Sequence, residues 1–201
     1  IDSATGVLTF NATPNFEAPA DADGDKVYDV TVQVADGHGG SDTQTIAITV
    51  ANVNEAPVIT SHGGGASASV SVAEHDTTVT TLTSSDVDGG APVYTIVGGA
   101  DAARFSIDGV SGALSFNAGA NFEAPADADG DNVYTLTVQV SDGALVATQT
   151  LRVAVIDAHE APTGLTPGAA AVDEDVAAGT FVARVDVIDA TGTVVSSRTT
   201  L

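Results

Sequence analysis

The sequence predicts an all-β fold built from tandem Greek-key β-sandwiches, with about seven strands in each repeat. The peptide NFEAPADADGD occurs at residues 15–25 and again at 121–131, and each copy precedes a run of alternating apolar residues and a linker. The period from Pro57 to Pro162 is 162 − 57 = 105 residues. That length exceeds a solenoid unit and matches a whole sandwich domain.

The register of the repeat sets the predicted domain boundaries. Residues 1–56 correspond to the C-terminal part of one repeat, residues 57–161 to a complete second repeat, and residues 162–201 to the N-terminal part of a third. We refer to these as the first, second and third repeats.

The strands follow from alternation of period two. Every second residue of 28–34 and of 134–140 is apolar, with polar residues between them, which is typical of a strand with one buried face. Short Gly-rich and Asp-Gly segments separate such runs, and no helical period is present. About seven strands in 105 residues favour a Greek-key sandwich. Further strands are predicted at 46–50, 69–72, 79–82, 92–97, 105–107 and 151–155.

Composition restricts the class of protein. Five Lys and Arg stand against 27 Asp and Glu, giving a net charge of −22, yet 43% of residues are hydrophobic. The chain therefore has enough apolar residues to fold, and its acidity argues against nucleic-acid binding. It has no cysteine, so disulfides cannot stabilise it. No apolar run approaches the length of a membrane span, so no membrane insertion is expected.

Two acidic loops form the most compact candidate metal sites. In each loop three aspartates occupy alternating positions, and in an extended backbone they would project to one side roughly 6 to 7 Å apart. Neighbouring carboxylates repel, and a hard cation such as calcium would neutralise them. Glycine at the fourth place and valine at the twelfth rule out an EF-hand, and a solvated acidic turn remains the alternative. The residues are Asp21, Asp23 and Asp25 in the first loop, and Asp127, Asp129 and Asp131 in the second.

A second set of motifs carries a family resemblance. Residues 52–57, Asn-Val-Asn-Glu-Ala-Pro, resemble the linker between cadherin repeats, and 15–17, Asn-Phe-Glu, resemble their Leu-Asp-Arg-Glu motif. Glu74, the Asp-Val-Asp of 86–88 and the Ser-Asp-Gly of 141–143 follow in the order of that family. Together they resemble a bacterial cadherin-like domain, of the kind found in tandem in large secreted adhesins that build biofilms.

The resemblance implies calcium at each junction between repeats. At the first junction its implied ligands are Glu17, Asn52, Asn54, Glu55, Asp86, Asp88 and Asp142. At the second junction they are Glu74, Glu123, Asp157, His159 through its carbonyl, Glu160 and Asp189. The second junction departs from the family pattern, because Thr191 replaces an aspartate and its linker lacks the second asparagine.

The function that the resemblance implies is a calcium-stiffened spacer of an adhesin outside the cell or on a bacterial surface. Its partners would be neighbouring repeats, with homophilic or head-to-tail self-association. Two alternatives remain: a fibre subunit joined by strand complementation between partial repeats, and a carbohydrate-binding module of a secreted enzyme. The acidity could also serve only solubility or a salty habitat.

Catalysis is not predicted. The sequence contains no nucleophile elbow, phosphate-binding glycine loop or paired-histidine zinc helix. The four histidines show no metal-ligand spacing and are interpreted as surface residues.

Overall fold

The computed structural model describes residues 1–160, 164–167, 185–188 and 194–197, and the regular elements in these ranges are strands and two short 3-10 turns. No helix of this part of the chain has the length and apolar character needed to cross a membrane. The first nine strands are β1 (Val27–Ala35), β2 (Ser41–Thr49), β3 (Val58–Ile59), β4 (Ser67–Ala73), β5 (Thr78–Thr81), β6 (Ser84–Ser85), β7 (Val93–Gly98), β8 (Phe105–Ile107) and β9 (Ala113–Phe116). The remaining five are β10 (Val133–Ser141), β11 (Val146–Ile156), β12 (Gly164–Pro167), β13 (Val185–Ile188) and β14 (Val194–Ser197).

The second repeat is a sandwich of two sheets. One sheet has the order β4-β11-β10-β7, with β4 parallel to β11 and the other pairs antiparallel. Facing it are the sheet β5-β9-β8 and the short pair β3-β6. Counting β3 with β4, and β5 with β6, as interrupted single strands gives seven strands. The predicted all-β sandwich is therefore confirmed.

The core is built from the inward positions of the long strands. Leu136, Val138 and Val140 of β10 and Leu151 and Val153 of β11 have no exposed surface, while the residues between them are more accessible. This alternation is the pattern that the sequence predicted. Fifteen buried apolar residues form one cluster across the two sheets, so the second repeat has a complete hydrophobic core.

The hairpin β1-β2 reproduces the pairing of β10-β11 without the same burial. Tyr28 of β1 pairs with Ile48 of β2, and Tyr134 of β10, 106 residues after Tyr28, pairs with Val153 of β11. Val34, however, is 69% exposed, whereas its counterpart Val140 is fully buried. The described residues include no strand beside the outer edge of either hairpin strand.

Some elements differ from the sequence prediction. Strand β9 and the two-residue strands β3 and β6 were not predicted as strands. The glycine-rich segment after β3 begins with a 3-10 turn, Ser61–Gly64, and a second such turn, Ala102–Arg104, precedes β8. Strands β12, β13 and β14 form an antiparallel sheet in that order.

Candidate metal centres

The first junction is assembled from four separate parts of the chain. Glu17 lies in the loop before β1, residues 52–55 follow β2, and Asp86 and Asp88 follow β6. Asp142 comes directly after β10. The sheets thus bring the ends of distant segments to one edge of the second sandwich.

Hydrogen bonds connect the predicted residues of this junction. Asn52 Nδ2 donates to Asp88 Oδ1 at 2.7 Å, and the Glu55 backbone N–H donates to Asp88 Oδ2 at 2.7 Å. Asn54 Nδ2 donates to Asp142 Oδ2 at 2.7 Å. The Asp88 N–H in turn donates to Asp86 Oδ1 at 2.9 Å.

Carboxylates converge at this junction. One oxygen each of Glu17, Glu55 and Asp88 lies within 4.8 Å of the others. Glu17 Oε1 and Asp86 Oδ2 are buried and have no hydrogen-bond donor among the described residues. Buried carboxylate oxygens without donors are unfavourable, so an oxygen-preferring cation fits this donor set.

The acids of the first junction form two groups, one with raised and one with lowered pKa values. Desolvation, followed by the charges of Glu17 and Asp88, raises the pKa of the Glu55 carboxyl, although the residue as a whole is exposed. Donors act in the opposite direction: the Glu55 N–H and the Asn52 amide lower the pKa of Asp88. The Asn54 amide lowers the pKa of Asp142 in the same way.

Glu74 is the centre of the second junction. It follows β4 directly and is only 3% exposed. Its Oε1 accepts the N–H of Ala158 at 2.8 Å, and its Oε2 accepts the N–H of Phe122 at 2.9 Å. These two backbone donors lower its pKa to about 2. Glu74 is therefore ionised at neutral pH and ties the loop before β10 to the linker after β11.

Three more acids surround Glu74. Carboxylate oxygens of Glu74, Glu123, Asp157 and Glu160 lie within 4.8 Å of one another. Both oxygens of Glu123 and Oε1 of Glu160 are buried without a donor among the described residues. Desolvation and the hydrogen bond to Glu74 raise the pKa of Glu160.

Two of the predicted second-junction residues are not in this cluster. His159, which is predicted to bind through its carbonyl, is exposed, and its ring nitrogens are not among the clustered ligand atoms. Asp189 lies outside the described residues, as does Thr191.

His75 has a side chain that is 56% exposed, in keeping with the predicted surface histidine, but it lies beside the acids of the second junction, which its sequence spacing did not predict. His75 Nε2 lies 3.4 Å from Glu160 Oε1 and 3.5 Å from Glu74 Oε2. The available signal was its position next to Glu74 in the sequence. Spacing in the sequence could not show that Glu160 lies near His75, because the pairing of β4 with β11 brings the two residues together.

The acidic loops are turns, and the expectation of an extended backbone is wrong. Oxygens of Asp21, Asp23 and Asp25 lie within 4.8 Å of one another, and those of Asp127, Asp129 and Asp131 do the same. Gly24 and Gly130 adopt positive φ angles of 79° and 77°, which fold the loops back. The carboxylates are thus closer than the 6 to 7 Å of an extended chain.

In the second acidic loop, the pKa values of Asp127 and Asp129 shift in opposite directions. Burial opposes ionisation of Asp127, but N–H donors, led by that of Asp131, outweigh it and lower its pKa. The hydrogen bond shared with Asp127, together with the charge of Asp131, raises the pKa of Asp129. The loop therefore holds one stabilised carboxylate and one that is crowded by its neighbours.

Asp101, which the sequence analysis did not single out, anchors this loop to the sandwich. It is 5% exposed, and its two oxygens accept the N–H groups of Ala128 and Thr135 at 2.7 Å each. A single buried carboxylate thereby links the segment after β7 to the acidic loop and to β10. A lone aspartate between two strands gives no sequence signal for such a role.

The fold and the acid clusters at the ends of the sandwich define a cadherin-like β-sandwich. Among solved structures, the chain is similar to the extracellular domain of protocadherin GammaB4, with a TM-score of 0.59 and 22% identity over 86% of this chain and 28% of that chain. It is also similar to extracellular cadherin domains 1–4 of protocadherin Gamma B7, with a TM-score of 0.57 and 24% identity over 82% of this chain and 41% of that chain. These likenesses establish the fold.

Curated sequences give two further similarities. The chain is 30% identical over 176 residues to Protocadherin Fat 1 of Homo sapiens, covering 83% of this chain and 4% of that protein. It is 57% identical over 35 residues to Halomucin of Haloquadratum walsbyi (strain DSM 16790 / HBSQ001), covering 17% of this chain and 0% of that protein to the nearest per cent. The chain thus spans a very small part of both relatives. No family model matches it.

Proposed function

We propose that this chain is a run of calcium-binding spacer repeats from an extracellular adhesion protein of a bacterial surface, with a role in adhesion or biofilm building. The repeats are those at 1–56, 57–161 and 162–201, and calcium at their junctions stiffens the array. The cadherin-like fold and the similarity to protocadherins support the adhesion class.

The single observation that carries the proposal is the donor set of the first junction. Seven residues from the first repeat, the linker and the second repeat lie together through hydrogen bonds and close carboxylates. The atoms that these residues can offer to a metal ion are all oxygens. Two of these oxygens are buried and accept no hydrogen bond from the described residues. Calcium takes six to eight oxygen ligands at about 2.3 to 2.6 Å in flexible geometry, whereas magnesium demands a stricter octahedron.

Such a cation would change the mechanics of the chain. Without it, Glu17, Glu55 and Asp88 repel one another across the linker, which favours separation of the repeats. With it, both repeats share one set of ligands, and bending at the linker would break coordination. Extracellular calcium modules bind in roughly the 0.1 to 1 mM range, so the array would respond to calcium outside the cell.

The decisive experiment is calcium titration of the whole chain by isothermal calorimetry, with thermal melts in calcium, magnesium and chelator. We expect calcium to raise the melting temperature and magnesium to do so weakly, since binding to the folded state alone stabilises it. Asp88→Asn should weaken binding at the first junction by at least about tenfold, because Asp88 contacts Asn52, Glu55 and Asp86.

Asp29→Asn is the matched control. Asp29 is exposed on β1 and belongs to none of the carboxylate clusters of the described residues, so its removal changes the net charge equally without touching a junction. Equal calcium affinity in the two variants, or melts that ignore chelator, would contradict the proposal.

The two alternatives receive less support. In the described second repeat, Tyr94, Phe105, Phe116 and Tyr134 are all buried, so this repeat offers little of the exposed aromatic surface that carbohydrate binding needs. Strand complementation would depend on residues 162–201, most of which lie outside the described residues.

A further inference from the structure

We propose that the second junction also binds a transition-metal ion, such as Zn²⁺, through His75, Glu74 and Glu160. We call these three residues the His75 site. The inference goes beyond the calcium function, because it concerns a different class of ion with a nitrogen ligand. The two ions would share Glu74 and Glu160 and would therefore compete.

The ligand atoms of the His75 site have suitable separations. His75 Nε2 lies 3.4 Å from Glu160 Oε1 and 3.5 Å from Glu74 Oε2. In a tetrahedral zinc site with bonds of about 2.0 to 2.1 Å, neighbouring donor atoms lie about 3.3 to 3.4 Å apart. The ligand atoms of Glu74 and Glu160 lie within 4.8 Å of each other, so one ion could contact all three groups after adjustment of the carboxylates, and water would complete the tetrahedron.

The surroundings of the site favour a bound cation. Glu160 Oε1 is buried and accepts no hydrogen bond from the described residues, although His75 Nε2 lies 3.4 Å from it. Both oxygens of the neighbouring Glu123 are in the same condition. The carboxylates of Glu74, Glu123 and Glu160 are thus crowded together with few hydrogen bonds to Glu123 and Glu160, which favours a cation here.

The ligands are held in place by the fold. The backbone N–H groups of Ala158 and Phe122 fix the Glu74 carboxylate. His75 has a φ of 64°, and its N–H donates to the Ala120 carbonyl at 2.8 Å, which fixes its backbone against the loop before β10. Its side chain is 56% exposed, so an ion can reach the ring from solvent.

Ligand chemistry makes the site selective. Imidazole nitrogen is a common ligand of zinc and related metals, whereas calcium takes oxygen ligands. The candidate ligands of the first junction supply only oxygens. In the sequence of the third repeat, Val172-Asp173-Glu174-Asp175 aligns with Val72-Ala73-Glu74-His75, so aspartate stands where His75 does. Of the two repeats whose sequence includes this position, only the second has a histidine there.

The test is calorimetric titration of the calcium-free whole chain with zinc chloride. His75→Asn removes the ring, and asparagine tolerates a positive φ, so the turn is retained. We expect this variant to bind zinc at least about tenfold more weakly than the unchanged chain, and to bind calcium as well as it does. His38→Asn is the control and should alter zinc affinity by less than about twofold.

Two further measurements distinguish the outcomes. Glu160→Gln should weaken both zinc and calcium binding, and added calcium should lower the apparent affinity for zinc. Equal zinc affinity in His75→Asn and the unchanged chain would overturn the inference, as would zinc binding no tighter than magnesium. If either of these zinc results is found while calcium still binds, the proposed calcium function stands and only the His75 site is wrong.

Discussion

Asn54 Nδ2 donates a 2.7 Å hydrogen bond to Asp142 Oδ2, joining residues 88 positions apart. Asn54 lies in the linker, whereas Asp142 begins the turn between β10 and β11 of the second repeat. The other Asp142 oxygen accepts the N–H groups of Ala144 and Leu145 at 2.6 and 2.7 Å. The linker is thus attached to a turn that is itself fixed by local bonds.

Asn54→Ala should loosen the linker. The variant loses a bond to a charged acceptor, and the pKa of Asp142 should rise toward its ordinary value. Because the chain has no cysteine, spin labels can be placed specifically at Thr43→Cys and Thr95→Cys. We expect a broader distance distribution between these labels in chelator, measured by pulsed electron resonance. Asn11→Ala, at an exposed position before β1, is the control, and equal widths in the two variants would argue against a role for Asn54.

Chelated protein should gain stability on mild acidification. Glu55 and Glu160 have pKa values above the ordinary 4.5, so the folded state binds more protons than the unfolded state between those values and 4.5. The free energy of unfolding should therefore rise as the pH falls from neutral toward 4.5. Glu74 acts oppositely, because its pKa in the folded state is lowered to about 2. Its contribution to stability is therefore complete above pH 4.5 and is lost as the pH falls from 4.5 to about 2.

Calcium should reverse this pH dependence. Protons compete with the cation for carboxylate ligands, so the calcium-loaded chain should lose stability over the same pH range. Urea unfolding at several pH values, with calcium or chelator, measures both slopes. Glu55→Gln combined with Glu160→Gln should flatten the slope in chelator, whereas Asp29→Asn should leave it unchanged. A chelated chain that is most stable at neutral pH would show that crowding at the junctions is unimportant.

The repeat allows the same core substitution to be made in two contexts. Val140→Ala removes two methyl groups from a position with no exposed surface, and should lower the free energy of unfolding of the second repeat by about 2 kcal/mol. Val34→Ala changes the corresponding position of the first hairpin, where the side chain is 69% exposed, and should cost less than about 0.5 kcal/mol. Chemical denaturation in calcium measures both, and equal losses would mean that Val34 is buried in solution.

The long strands were predictable because apolar and polar residues alternate along them with a period of two. Tyr134, Leu136 and Val138 alternate with polar residues, and a strand between a core and solvent requires that order. Strands β3 and β6 escaped prediction, since two residues cannot display a period. Their pairing arises from tertiary structure, with Val58 opposite Ser85.

The candidate sites divide in a similar way. Asp86 and Asp88 could be identified because a family motif contains them as neighbours in sequence. His75 and Asp101 could not, since their partners are 85 and 27 to 34 residues away, and only strand pairing brings them together. For the acidic loops, the residues were identified but the backbone was not, because glycine at Gly24 and Gly130 permits either an extended path or a turn.

The acidic loops make a final prediction about calcium stoichiometry. In the second loop three carboxylates lie within 4.8 Å, and their crowding raises the pKa of Asp129. If a calcium ion relieves that crowding, Asp129→Asn should reduce the number of bound ions by one and leave the affinity of the first junction unchanged, because the loop shares no residue with that junction. Calorimetry combined with native mass spectrometry counts the ions. Asp23→Asn should have the same effect in the first loop, and an unchanged ion count in both variants would mean that these loops are solvated turns.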